Sequence, residues 1–363
     1  MIWSFSDSRT FAKCQRRWYY DSVLAHWTRG NPVRWEAYLL SKLQSVSAWR
    51  GQIVDAAISS TVVPAFNRRI APSLQNCLDR ARQMFDAQRA FALQHRLREP
   101  DMVPAQHKES FAAFLAVEHG ETVSEDELNR AWLEIEQALQ NLFAMEALFK
   151  QLESANLCVP QRALTFKHDG VSVKAVPDLI AFYQDARPLI VDWKVHAFGT
   201  KDYWLQLVTY ALALTRCKVH RDFAQLFQGC DPTEIRLAEV QLLTNRVREH
   251  MLDAEDVGEV EDIIAKSASQ MILARDGREL DRLKPADFPV TAWPENCLSC
   301  PFRKPCWEGD DDDRAGDECL FDHESKSAIG HLPVVPHPRA SRGTRRVLPK
   351  STVADSAAEL PFA

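Results

Sequence analysis

The sequence predicts an α/β protein: a small mixed sheet flanked by helices, with a large helical segment inserted ahead of the sheet. Three observations predict it. Helical periodicity dominates residues 51 to 155, strand-like patterning takes over from 156 to 195, and helices then alternate with one further strand. A chain of 363 residues that is 46% hydrophobic can bury a core of that kind.

The elements follow in order. Phe11, Trp18 and Leu24 recur at helical spacing behind Ser6, a candidate cap, and place Cys14 on a helix within residues 7 to 27. Residues 51–155 read as mostly helical. The clearest case is Ser124–Glu153, where Leu128, Trp132, Ile135, Leu139, Leu142 and Phe143 step by three and four behind an acidic first turn. After Asn156, Ala163–Lys167, Val171–Val176, Leu179–Tyr183 and Leu189–Val195 read as short strands of one meander, parted by turns at His168-Asp169-Gly170 and Gln184–Pro188. A helix over Lys201–Arg216, a strand over Ile235–Leu243 and a helix over Asp253–Arg275 complete the series. Beyond the acid run Asp310–Asp313 no apolar period persists, and disorder is expected past about residue 325. There Arg339, Arg342, Arg345, Arg346 and Lys350 read as a solvated tail, with a phosphate-binding arm as the sharper alternative. The expected segments are 1–55, N-terminal helical with Cys14; 56–155, helical insertion; 156–250, core; 251–310, C-terminal helix and cysteine cluster; and 311–363, acidic then basic tail.

Composition narrows the function classes. The N-terminus lacks a basic stretch followed by an apolar run, and Leu205–Leu214 is too short to span a bilayer, so a cytoplasmic protein without a membrane partner is expected. The net charge of −6 argues against wholesale coating of nucleic acid but leaves room for a local basic groove. Nine cysteines in such a chain point to metal ligation rather than disulfides.

Two constellations carry chemistry. Asp192 and Lys194 are two apart on a predicted strand and therefore share a face, while Asp178 opens the preceding strand. A hairpin between these strands brings the two carboxylates together as a site for Mg2+ or Mn2+, which favour hard oxygen ligands, and the carbonyl of Trp193 offers one more. Lys194 is then placed to orient an attacking water and to stabilise charge on a phosphate. An aspartate pair with a lysine also arises by chance, but Asp192 follows the buried run Leu189-Ile190-Val191, where an uncompensated carboxylate is costly. Gln206 and Tyr210 sit one turn apart on the next helix and face the same way. Asp55 is a further candidate oxygen ligand.

The second constellation is Cys297, Cys300 and Cys306, a C-x2-C-x5-C arrangement that needs a fourth ligand to close. Four thiolates suit tetrahedral zinc and an iron–sulfur cluster alike. Cys319 is a spare candidate, and Arg16, Arg17, Arg303 and Lys304 gather positive charge around these cysteines.

Pro177-Asp178, Asp192-Trp193-Lys194 and the pair Gln206 and Tyr210, together with the cysteines, resemble the PD-(D/E)xK nuclease superfamily in its RecB-like branch with an iron–sulfur cluster, which includes AddB-type nuclease domains and CRISPR-associated exonucleases. The resemblance runs from Ser4 to about Trp307 and implies a restriction-endonuclease-like core. It implies Asp178 and Asp192 as metal ligands, Lys194, Gln206 and Tyr210 as catalytic, and a [4Fe-4S] cluster on Cys14, Cys297, Cys300 and Cys306. That cluster would join the N- and C-terminal segments. Family members act mostly on single-stranded DNA or DNA ends, often beside a helicase, in recombination, repair or defence. Three positions depart from the pattern: Asp55 stands where histidine is common, Ala175 where glycine is usual, Gln161 where an acid is frequent. These departures keep a second reading open, a non-cleaving DNA-binding or structural subunit of a helicase–nuclease assembly. The chain has no Walker-type phosphate loop, so unwinding requires a partner.

Overall fold

Among the described residues eight strands form two sheets that meet around one buried helix, rather than the single meander expected. The computed structural model describes residues 1–25, 30–99, 101–195, 203–223, 225–227 and 229–308, within a unit spanning Met1–Ala315. The tail, with its arginines and Cys319, lies outside the described residues.

The first sheet has the order β1-β4-β3, with β1 Ile2–Trp3, β3 Leu164–His168 and β4 Val171–Ala175. The second has the order β2-β5-β6-β7-β8, with β2 Leu157–Pro160, β5 Leu179–Phe182, β6 Leu189–Lys194, β7 Arg236–Gln241 and β8 Arg246–His250. The chain leaves one sheet and enters the other at Val176-Pro177-Asp178, where proline has no N–H to continue a ladder. Sequence reading passed over β1, β2 and β8. The first is two residues long, the second ends on Pro160, and the third, Arg-Val-Arg-Glu-His, has no apolar face to signal it.

The main helices are α1 Phe5–Lys13, α2 Gln15–Trp18, α3 Pro32–Leu40, α4 Val46–Ala57, α5 Leu74–Leu93, α6 Glu125–Ala144, α7 Glu146–Glu153, α8 Tyr203–Arg216 and α9 Ala254–Arg275. Ser4, not Ser6, caps α1 by accepting from the Asp7 N–H at 3.1 Å. The long period over Ser124–Glu153 resolves into α6 and α7, broken at Met145, whose ψ of 68° is not helical. Cys14 is not inside a helix either. It is extended between α1 and α2, and its Sγ caps α2 by accepting from the Arg17 N–H at 3.4 Å.

β6 is a central strand buried on both faces, as an apolar run requires. Leu189, Val191 and Trp193 face one core with Trp49, Ile53, Phe85 and Ile135 of α4, α5 and α6. Ile190 faces the other, with α8, Trp3 and the first sheet. α8 makes the parallel crossover from β6 to β7 and packs between β3 and β4 on one side and β6 on the other. Its residues Leu207 to Leu214 are all buried, so a polar side chain on this helix is there at a cost.

Candidate active site

β5 pairs antiparallel with β6, Leu179 opposite Val191, so Asp178 just ahead of β5 reaches the far end of β6. Its Oδ2 accepts from the Trp193 N–H at 2.8 Å. Asp192 and Lys194 share the face of β6 turned toward α8, and Lys194 Nζ stands 2.5 Å from Asp192 Oδ2. Asp192 is 1% exposed. Among the described residues neither of its oxygens meets a well-directed hydrogen-bond donor, so the ion pair with Lys194 is close but poorly aligned. Lys194 Nζ also donates to Gln206 Oε1 at 3.3 Å, and Gln206 Nε2 donates to the Tyr210 hydroxyl one turn along α8. A single run of contacts thus joins Asp192, Lys194, Gln206 and Tyr210.

Asp55, in the last turn of α4, closes the other side. Gln161 Nε2 donates to Asp55 Oδ2 and to Asp178 Oδ1, each at 3.0 Å. Gln161 sits at φ +48°, a left-handed conformation that costs an L-residue about 1–2 kcal/mol and clusters at functional sites. Its own N–H donates to the Asp178 carbonyl at 3.1 Å. Asp55 Oδ1 is buried without a donor among the described residues.

Burial is the leading electrostatic influence on Asp55, Asp178, Asp192 and Tyr210. It pushes Asp55 up to about 7, helped by the charge of Asp178 and opposed by the Gln161 hydrogen bond. Asp178 and Asp192 are both raised above the usual carboxylate range by burial, and Lys194 opposes the rise in each. Tyr210 is held far above the ordinary phenol range by burial and then by Asp192 and Asp178. Its hydroxyl is therefore neutral and able to donate.

Three residues of this site were not singled out from the sequence. Glu239, 2% exposed, lies on β7 directly opposite Asp192, and Gln241 lies opposite Lys194. Gln241 Nε2 donates to Glu239, which also faces Arg248 Nη1 at 3.8 Å and His250 Nε2 at 3.4 Å. The signal was present: Arg236-Leu237-Ala238-Glu239-Val240-Gln241 places polar residues two apart in an apolar strand. Arg50 on α4, also buried, donates to Glu134 and to the Val195 carbonyl, which ties the end of β6 to the helical layer.

A model of the PD-(D/E)XK nuclease superfamily matches residues 2–307. The chain belongs to that superfamily. No curated protein matches the chain. The chain resembles the crystal structure of SSO0001 at 12% identity and a TM-score of 0.26, covering 61% of this chain and 92% of the other. It also resembles a crystal structure from Eubacterium rectale named "Putative exonuclease", at 13% identity and a TM-score of 0.29, covering 69% and 87%. At such scores these likenesses carry no argument.

In this PD-(D/E)XK chain the oxygen donors fit a divalent cation in kind, since Asp55, Asp178 and Asp192 supply hard carboxylate oxygens, and Asp55 Oδ1 and Asp192 Oδ1 are buried without a hydrogen-bond donor among the described residues. The cysteines fit a thiolate-bound centre in the same sense. Cys297 and Cys300 are joined by a turn, the Cys300 N–H donating to the Cys297 carbonyl at 3.1 Å. Burial pushes the Cys300 thiol up to about 11, and Cys14 and Cys306 are near enough to add to that rise. Among the described residues no three His, Cys, Asp or Glu side chains are grouped so as to hold a metal ion. Arg16 does not belong to an exposed basic rim: it is buried, and its Nε donates to the Phe288 carbonyl at 3.0 Å. No helix among the described residues is long and apolar enough to cross a membrane.

Proposed function

We propose that this chain is a metal-dependent DNA nuclease that hydrolyses phosphodiester bonds. The observation that carries the reading is Asp192, buried with its Oδ2 2.5 Å from Lys194 Nζ, on a strand end that Asp178 also reaches. Asp178 and Asp192 would hold Mg2+ or Mn2+, with the Trp193 carbonyl and Asp55 adding oxygens. When bound, the cation supplies Lewis-acid polarisation of the phosphate and neutralises its charge.

The remaining work falls to the chain. The Trp193 N–H fixes Asp178 in rotation, leaving its other oxygen toward Gln161. Lys194 holds an attacking water in line and stabilises the charge that develops on the phosphoryl oxygens. Gln206 keeps the Lys194 ammonium turned toward the site, and Tyr210, a neutral phenol, keeps Gln206 in that rotamer. The attack breaks the P–O bond to the leaving sugar oxygen, which takes up a proton.

At finer grain the reading is a RecB/AddB-like exonuclease acting on single-stranded DNA or DNA ends in recombination, repair or defence, with a helicase or related subunit supplying unwinding. Cys14, Cys297, Cys300 and Cys306 would carry a [4Fe-4S] cluster, zinc being the alternative. The packing that supports a closure there is direct: Tyr20 stacks on Phe302 at 5.3 Å and Tyr19 on Phe288 at 4.8 Å.

The test is cleavage of end-labelled linear and circular single-stranded DNA with Mg2+ or Mn2+, using anaerobically purified protein and Lys194→Ala. Wild-type cleavage that the variant lacks, confined to linear DNA, is expected. A folded, DNA-binding wild type that cuts neither substrate would return the protein to the role of a non-cleaving subunit.

A further inference from the structure

β8 forms the outer edge of the second sheet and its residues divide sharply between the two faces. Arg246, Arg248 and His250 are paired with Gln241, Glu239 and Leu237 of β7, whereas Val247 and Glu249 are paired with Val240 and Ala238. Val240 and Ala238 belong to the core with the helical layer, so Val247 and Glu249 lie on that side. The three basic side chains therefore lie on the face that carries Asp192 and Lys194.

The alignment is row by row. Asp192 is opposite Glu239, and Glu239 opposite Arg248; Lys194 is opposite Gln241, and Gln241 opposite Arg246. Two strand spacings separate the ends of each row, about 10 Å. Arg248 is half-exposed even with Glu239 at 3.8 Å. Arg246 is exposed, and its side chain is free of ion pairs among the described residues. Two guanidinium groups thus stand on an open edge, in register with the candidate catalytic row, on a chain whose net charge is −6. A local basic edge on an acidic protein selects an anionic ligand by charge.

We infer that Arg246 and Arg248 form a phosphate track that carries a single strand of nucleic acid across the edge of the sheet into the Asp192–Lys194 site. The inference rests on the nuclease reading for the destination of the strand, but the track itself is a binding surface. Planar guanidinium groups suit phosphate oxygens, and contacts of this kind set affinity and position without reading bases.

The experiment uses the full chain, in EDTA to hold cleavage off, with a fluorescein-labelled single-stranded oligonucleotide followed by anisotropy from low to moderate salt. Each phosphate contact on a single strand contributes about 0.7 to the slope of log Kobs against log salt. Arg246→Ala should lower the slope by about 0.7, and Arg246→Ala with Arg248→Ala by about 1.4. Arg246→Lys should restore most of the first loss. In cleavage assays with Mn2+ the Arg246→Ala effect should appear in KM. A salt slope and affinity unchanged in both variants, or a wild type that does not bind the oligonucleotide, would overturn the track. A wild type that binds with the expected slope change yet cuts nothing would sink the nuclease reading and leave the track standing.

Discussion

Replacing Asp192 by asparagine separates stability from function at this site. Asp178 and Asp192 stand close together with Lys194 as their nearest cation, so the last negative charge there is unwelcome without a metal. With Lys194 already taken into account, the Asp192 carboxyl titrates at about 7 rather than at its ordinary 3.8. At about 1.4 kcal/mol per pH unit, holding it ionised at pH 8 costs about 4 kcal/mol. The asparagine removes that charge at constant shape but leaves a buried amide to satisfy, worth about 1–3 kcal/mol. The net expectation in EDTA at pH 8 is a variant more stable than wild type by about 1–3 kcal/mol, read as a higher urea midpoint at unchanged m value. Saturating Mg2+ should reverse the order, since a ligand at a thousandfold its Kd adds about 4.1 kcal/mol to the form that binds it. An asparagine variant less stable than wild type in EDTA, or one that gains as much from Mg2+, would refute the reasoning.

Three further outcomes follow from the same contacts. The carboxyl of Asp55 is raised to about 7 in the fold against 3.8 unfolded, so the metal-free protein retains a proton that the unfolded chain releases. Its contribution is then present below about pH 4 and lost as the pH rises through about 7, and thermal melts in EDTA should decline across that window while the Mg2+-induced rise in Tm grows. Cys300→Ala should remove visible absorbance from anaerobically isolated protein and lower its Tm sharply, because a structural metal contributes folding free energy directly; an unchanged melt with colour retained would contradict a cluster held by Cys300. Arg50→Ala, which unties Glu134 and the Val195 carbonyl, should cost about 2 kcal/mol in urea unfolding.

The sequence announced the site better than it announced the sheets. Asp192 and Lys194 were legible because a period of two on a strand fixes their common face whatever the rest of the fold does, and Gln206 and Tyr210 because a helix turn does the same. Asp178 needed only the hairpin that joins β5 to β6. Glu239 was harder: its partner strand lies beyond α8, and a parallel register is written in no local pattern. The break at Met145 and the extended backbone at Cys14 depend on ψ values that side-chain periodicity does not encode. β8 escaped because its basic face meets solvent, where no apolar alternation is needed to hold a strand.

The packing of the chain's start against its far end also imposes an order on synthesis. Trp18, Tyr19 and Tyr20 are buried, and what covers them includes Leu283, Phe288, Phe302 and Pro305. A ribosome emits Tyr19 264 residues ahead of Leu283, whose carbonyl its hydroxyl meets, so these aromatics must wait with sticky faces open while the intervening chain is translated. A message truncated before residue 283 would leave those faces open for good. Such products are natural targets for chaperones and proteases, which clear an incomplete copy of this chain before it accumulates.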